Sequence, residues 1–193
     1  ETTEYSKLYT LAAEDCVVVA GGDGTLNRFA NSIYGMDIQN EILYYPNGTG
    51  NDFARDLSFE KGCAPFPVRT YLKNLPQVEV KDKTYRFING VGFGLDGYCC
   101  EEGDRLKAIP GKKVNYTAIA IKGLLFAFKP VNATVVVDGE EYSYRKVWIA
   151  PTMKGRFYGG GIMPTPNQER GKADGSVSMM LFHGSGKLRT LMI

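Results

Sequence analysis

Two short segments hold the residue types that could do chemistry. The first, Gly21-Gly22-Asp23-Gly24-Thr25-Leu26-Asn27, follows the β-branched run Val17-Val18-Val19 and opens a stretch with Leu26, Phe29, Ala30 and Ile33 at helical spacing. Glycines between a strand and a helix let a ligand approach the backbone, and a helix start offers N–H groups without helical acceptors, a seat for phosphate. Thr25 can cap that helix or bond a phosphate oxygen. Asp23 is the odd member, because polyphosphate repels a carboxylate unless a cation such as magnesium stands between them. The second segment, Pro46-Asn47-Gly48-Thr49-Gly50-Asn51-Asp52-Phe53-Ala54-Arg55, repeats the arrangement after the apolar run at 42–45. There Thr49 supplies a hydroxyl, Gly48 and Gly50 permit close approach, and Asn51 or Asp52 can cap a helix or reach a metal. On neighbouring strands the two loops would face each other across a crevice, as a nucleoside triphosphate needs. Each loop alone also fits a plain Gly-rich turn.

The elements that must position these residues can be read from periodicity. Residues 16–20 predict a buried strand of the parallel type, followed by a helix from about Leu26. Residues 42–45 predict a second strand, and 51–57 a second helix. Strand–loop–helix twice over is an α/β layer that binds ligands at the carboxyl ends of its strands. A short helix at 68–73 leads to Pro76, where the domain boundary is expected. Beyond it, 77–81 and 84–89 predict a hairpin, 113–128 a helix, 131–137 and 141–150 strands joined at Asp138-Gly139, and 176–182 a further strand. The expectation is an α/β N-terminal domain over 1–75 and a β-rich C-terminal domain over 76–193. Both ends read as structure, around Tyr5, Leu8 and 11–13 and again over 188–193, which suggests a fragment of a longer protein.

The two loops together resemble the diacylglycerol kinase catalytic domain family, which includes bacterial lipid kinases, sphingosine kinases and ceramide kinases. GGDGT at 21–25 marks a superfamily shared with NAD kinases and phosphofructokinases; GTGNDFAR at 48–55 selects the lipid kinases. The resemblance continues through Phe87-Ile88-Asn89-Gly90-Val91-Gly92-Phe93-Gly94-Leu95-Asp96, Gly159-Gly160-Gly161 and Asp174-Gly175-Ser176. It implies a partial α/β nucleotide-binding domain, a sandwich-like β-rich second domain and an active site between them. Carried over by position, Gly22, Asp23, Gly24, Thr25, Asn27 and Thr49 would bind ATP, with Asp23 positioning metal and phosphate. Lys172, Asp174 and Ser176 would hold a structural magnesium, the outer two through backbone carbonyls, and Asp174 would support Asp23 through that metal and water. The family's general base, an aspartate in a V-D-G-E-like segment, is expected outside this chain. Val137-Asp138-Gly139-Glu140 has that composition but lies before the GGG segment, so it reads as a hairpin turn. Arg28 departs from the family's usual glutamate, and Asn47 from an apolar residue.

The resemblance thus implies an ATP- and magnesium-dependent lipid kinase acting on diacylglycerol or a related lipid. The alternatives are an NAD-kinase-like phosphotransferase with a soluble substrate and a nucleotide- or lipid-binding module without turnover. Composition suits a globular chain: 193 residues, 44% hydrophobic and 23% charged. The longest apolar stretch, 116–128, is interrupted by Lys122 and too short to span a bilayer. With one histidine and no C-x-x-C spacing among four cysteines, a zinc site is not expected and reduced thiols are. Residues 1–75 hold six Lys/Arg against ten Asp/Glu, whereas 76–193 hold seventeen against eleven, a surplus of six cations. That surplus suits an anionic surface or simply solvent, and no basic run interleaved with aromatics points to nucleic acid. Residues 113–128, with Tyr116, Ile119, Leu124, Phe126 and Phe128 among lysines, could lie on a membrane or bury an apolar face in a core. The expected setting is cytoplasmic and peripheral to the membrane, with a lipid substrate; the oligomeric state is left open, a homodimer included.

Overall fold

The computed structural model describes residues 4–112, 114–172 and 174–190, with the backbone alone for Leu188. Lys113 at the start of the expected 113–128 helix, Ala173, and the ends of the two expected terminal elements lie outside the described residues. The chain forms two compact units, Glu1–Gly90 with Met153–Ser178, and Val91–Thr152 with Met179–Ile193. The first division therefore falls at Gly90, not at Pro76. Side chains of the first helix explain this. Asn27 Oδ1 accepts the Ile88 N–H at 3.0 Å, and Asn31 accepts the Arg86 N–H at 3.0 Å while donating to its carbonyl at 2.9 Å. The Asn89 carbonyl then accepts N–H groups of Lys154 and Gly155 at 2.7 and 3.1 Å.

In the first unit, β1 (Cys16–Gly21) and β2 (Glu41–Pro46) run parallel, in register from Cys16 opposite Glu41 to Gly21 opposite Pro46. The short β3 (Phe66–Pro67) adds to β2 antiparallel. Helix α1 (Asp23–Ser32) connects β1 to β2, and α2 (Asp52–Asp56) follows β2. Helix α1 starts three residues before the sequence suggests, because the N–H groups of Thr25 and Leu26 bond the Gly22 carbonyl. Residues 69–72 form a 3₁₀ turn, and β4 (Gln77–Val80) pairs with β5 (Lys83–Arg86) as a hairpin. Leu26, Phe29, Ile42, Tyr44, Phe53, Val68 and Ile88 form the core, with the Tyr44 ring meeting Phe53 and Phe66 edge to face at 5.8 Å. Strand β1 is not buried on both faces as its Val run suggests: Val18 is 48% exposed.

The second unit is β-rich, as the motif order implies. Its sheet is built on the long β8 (Glu140–Met153), which pairs with β6 (Gly90–Gly94), β7 (Val131–Val137), β9 (Ser178–Met179) and β10 (Phe182–His183). The expected strand at 176–182 is thus two short pieces. Asp138 (φ 51°) and Gly139 (φ 87°) form the β7–β8 turn, so the VDGE segment is a hairpin. Helix α3 (Leu95–Lys107) has no counterpart in the sequence reading, because Gly97, Gly103 and its charged residues mask the period. Gly103 serves packing: a Cβ there would lie 2.4 Å from the Tyr116 ring. The expected 113–128 helix is α4 (Tyr116–Lys122), capped by the Asn115 side chain, continuing into a π-helical turn at Gly123–Ala127. Helix α5 (Lys187–Thr190) closes the described chain. Leu95, Leu124 and Trp148 form the core, and the Trp148 indole donates to the Ser185 carbonyl at 2.8 Å.

Candidate functional site

The parallel register of β1 and β2 ends at Gly21 and Pro46, so the two Gly-rich loops leave the sheet side by side. They touch rather than face each other across a crevice. The Asn47 N–H donates to the Gly21 carbonyl at 2.9 Å, and a Cβ on Gly48 would stand 2.4 Å from the Gly22 Cα. Only glycine allows that approach of two backbones. Asn51, itself left-handed at φ 52°, holds Gly48 at both ends. Its Oδ1 accepts the Gly48 N–H at 2.8 Å and its Nδ2 donates to the Gly48 carbonyl at 3.0 Å.

With Asn51 so engaged, α2 is capped from 29 residues away. The Asp23 carboxylate accepts the Asp52 N–H at 3.0 Å and the Phe53 N–H at 2.8 Å, a charge-assisted cap at the positive end of the helix. Its Oδ1 also accepts the Asn89 amide at 2.9 Å. The Asp52 carboxylate turns to the Gly-rich segment at 159–161, where Oδ2 accepts the Gly160 N–H at 2.9 Å. Its Oδ1 is buried without a partner among the described residues. Burial raises the Asp52 pKa and the nearby Asp23 charge adds to the rise, against the pull of the Gly160 and Gly161 N–H groups and Arg55.

A chain of buried polar contacts continues from Asn89. Its Oδ1 accepts Arg170 Nη2 at 2.7 Å, and the same guanidinium donates to the Ile88 carbonyl, binds Asp56 Oδ2 at 2.8 Å and lies over the Phe53 ring. Asp56 also accepts Arg156 Nε at 2.7 Å. The Arg170 and Asp56 side chains are only 6% and 3% exposed, so this is a buried pair with its remaining polar directions satisfied.

Of the residues expected to bind ATP, Gly22, Asp23, Gly24, Thr25 and Thr49 come together on the two touching loops. Gly24 is exposed with open space where a Cβ would be, Thr49 is exposed, and Thr25 packs against Gly21. Asn27 points elsewhere, its oxygen committed to Ile88. Lys172, Asp174 and Ser176 share one exposed turn. Asp174 accepts the Ser176 N–H at 2.8 Å, which lowers its pKa, and the Ser176 carbonyl accepts the Gln168 amide at 3.1 Å. Among the described residues no three His, Cys, Asp or Glu side chains gather as a metal cage. The protein contacts of Asp23 lead to Asn89 and Arg170, not to Asp174. Sequence reasoning missed Asp56, Arg156 and Arg170. The Arg170 partners lie 81, 82 and 114 residues away, beyond any local pattern, whereas Asp56 directly follows the second motif.

In the second unit, Asp96 opens α3 with both carboxylate oxygens buried and without a well-formed hydrogen bond among the described residues. Burial pushes its pKa to about 6, partly offset by the N–H groups of Asp96 and Gly97.

Residues 1–80 match the diacylglycerol kinase catalytic domain family. The chain is similar to that family over these residues. The Mycobacterium tuberculosis (strain H37Rv) protein named diacylglycerol kinase is 26% identical over 188 residues, covering 93% of this chain and 58% of that protein. A Bacillus subtilis (strain 168) relative, YtlR, bears the provisional name of lipid kinase and is 25% identical over 168 residues, covering 78% of this chain and 53% of that one. The chain thus spans little more than half the length of these relatives. The crystal structure of a diacylglycerol kinase from Bacillus anthracis str. Sterne shares the fold, with a TM-score of 0.59 and 22% identity, covering 99% of this chain and 63% of that one.

Proposed function

We propose that the protein is an ATP- and magnesium-dependent lipid kinase that transfers the γ-phosphate to a hydroxyl of diacylglycerol or a related lipid. The observation that carries this reading is the contact of the two Gly-rich loops, backbone on backbone, with the Asp23 carboxylate bonded between them and α2. The family match over residues 1–80 and the names of the relatives support the lipid as acceptor.

The residues present fit a phosphate chain that arrives with a divalent cation. The start of α1 carries N–H groups at Asp23 and Gly24 that have no helical acceptor, and the Gly24 side is open. Thr25 and Thr49 add hydroxyls. Beside them Asp23 and Asp52 place two carboxylates, one with a buried oxygen that nothing satisfies, so bare polyphosphate would be repelled. Asp23 accepts three protein hydrogen bonds, which leaves one acceptor direction on Oδ2 for the cation or its water. Bound magnesium neutralises phosphate charge and stabilises the charge spread over the transferring group. The chain's own contribution is positioning. The loops fix the phosphates, Asn51 and Arg170 keep the loops and Asn89 from relaxing, and the Gly160 N–H holds Asp52. Asp174, kept ionised at the surface, suits a second, structural cation together with the Lys172 and Ser176 carbonyls.

The test is transfer of labelled γ-phosphate from magnesium-ATP to diacylglycerol, monoacylglycerol, sphingosine, ceramide and NAD in mixed micelles, with nucleotide binding measured separately. The expected result is label in one lipid, lost in Gly48→Ala. Label in NAD alone would favour the soluble-substrate phosphotransferase. Saturable ATP binding with no label in any acceptor would sink the kinase reading and leave a binding module.

A further inference from the structure

Four contacts close a circuit around the Asp23 carboxylate, and Arg170 is the member that no local spacing suggests. The Phe53 N–H donates to Asp23 Oδ1 at 2.8 Å, and the ring of the same Phe53 carries the Arg170 guanidinium 4.6 Å from its centroid. Arg170 Nη2 donates to Asn89 Oδ1 at 2.7 Å, and Asn89 Nδ2 returns to Asp23 Oδ1 at 2.9 Å. The order of donors and acceptors in this circuit is forced. A guanidinium has donors only, so the Asn89 amide must turn its oxygen to Arg170 and its NH2 group to Asp23. Without Arg170 the amide could turn over and set its oxygen against the carboxylate. The guanidinium itself cannot turn: its Nε also binds Asp56 Oδ2 at 2.8 Å and its Nη1 donates to the Ile88 carbonyl, so three acceptors hold one plane. Gly155 leaves the room for it, since a Cβ there would run into both Arg170 and Asp56.

What the circuit fixes is the aim of one oxygen. Asp23 Oδ1 is filled by Phe53 and Asn89, and Oδ2 accepts the Asp52 N–H at 3.0 Å, which leaves a single acceptor direction on Oδ2. That direction lies in the plane of the carboxylate, and the Phe53 and Asn89 bonds hold the plane. Charge couples the two ends as well. Burial lowers the Arg170 pKa, and the Asp56 and Asp23 carboxylates oppose it by stabilising the cation. The resemblance gives the support of Asp23 to a cation on the turn at 172–176, but the contacts of Asp23 among the described residues run to Arg170. We propose that Arg170 is a positioning residue for phosphate transfer: through Asn89 it holds the Asp23 carboxylate so that its free direction meets the cation arriving with the nucleotide. The proposal rests on the kinase reading and asks for no contact between Arg170 and the nucleotide. Groups one step behind a metal ligand set its orientation in the same way.

The test follows ATP binding across a magnesium titration, beside transfer of labelled γ-phosphate to lipid in mixed micelles. Arg170→Lys keeps a charge for Asp56 but cannot hold three acceptors in one plane. It should raise the magnesium concentration at half-maximal ATP binding, and lower kcat, by about 10–100-fold, with KM for the lipid unchanged. Asn89→Ala breaks the relay while leaving the Arg170–Asp56 pair in place, so it should do the same, and the two changes together should do no more than either alone. Arg156→Ala removes a bond to the same Asp56 but touches neither Asn89 nor Asp23, so it should lower the thermal midpoint and leave the magnesium response as in wild type. Equal damage by Arg156→Ala and Arg170→Lys would overturn the inference and reduce Arg170 to a support of the fold. Additive effects of Arg170→Lys and Asn89→Ala would overturn it too, as would ATP binding in wild type that magnesium does not change. Transfer to lipid with an unaltered magnesium response in both variants would refute the relay and leave the kinase reading intact. Magnesium-dependent ATP binding weakened in both variants, with no transfer to any lipid, would do the reverse.

Discussion

Replacing Asp23 should unfold the site before it disturbs any chemistry. The carboxylate accepts three hydrogen bonds, two from the first N–H groups of α2 and one from the Asn89 amide. Helix α2 is five residues long and cannot recruit its own cap, because Asn51 is bonded to Gly48. In Asp23→Ala the lost cap costs about 1–2 kcal/mol. The lost charge at the helix start adds about 0.5 kcal/mol. The Asn89 amide, left unpaired, adds about 1 kcal/mol. Relief of repulsion with Asp52 returns part of this, for a net destabilisation of about 2–3 kcal/mol. Asp23→Asn keeps one acceptor and should cost roughly half as much. Urea unfolding followed by circular dichroism reads the change as a lower midpoint at constant slope. A double-mutant cycle with Asn89→Ala should give a coupling of about 1 kcal/mol. If Asp23→Ala lies within about 0.5 kcal/mol of wild type, the carboxylate is not a structural cap and the argument fails. If it is a cap, loss of activity in an Asp23 variant is not by itself a sign of catalysis.

Other substitutions separate the parts of the site. Arg170→Met strands the buried Asp56 with one remaining guanidinium and should cost about 3 kcal/mol, whereas Arg156→Ala, whose side chain is 36% exposed, should cost about 1 kcal/mol; thermal unfolding ranks the two. Gly48→Ala must push Gly22 away and should cost more than about 2 kcal/mol, while Gly24→Ala has open space in a helical first turn and should gain about 0.5 kcal/mol, both read by urea unfolding. Asp96 has a folded pKa near 6 against an ordinary value of 3.8, so the unfolded chain releases that proton first and stability falls as pH rises from about 4 to about 6. Asp96→Asn should remove this slope, matching wild type near pH 4 and exceeding it by about 2–3 kcal/mol above pH 7. A parallel pair of pH profiles, offset equally at all pH values, would contradict it.

The sequence by itself determined the repeated strand–loop–helix order, the two Gly-rich loops and the hairpin at Asp138-Gly139. These features are local: β-branched runs, glycines at turns and helical periods act over a few residues, so composition and spacing specify them. The order of motifs also carried the resemblance to the family. Tertiary structure alone decided how those loops are used. That Gly48 and Gly22 touch depends on the parallel register of β1 and β2, which no short window contains. That Asp23 caps α2 depends on the same register, and that Asn27 serves Ile88 depends on the return of residues 86–88 against α1. Arg170 and Asp56 meet across 114 residues, and a buried ion pair leaves no periodic trace in either segment. Helix α3 has no clear sequence signature for a related reason: Gly103 lets Tyr116 approach, and packing of that kind overrides helix propensity. The apolar content of 116–128 was plain in the sequence, but which of its side chains face inward was fixed by a single π-helical turn.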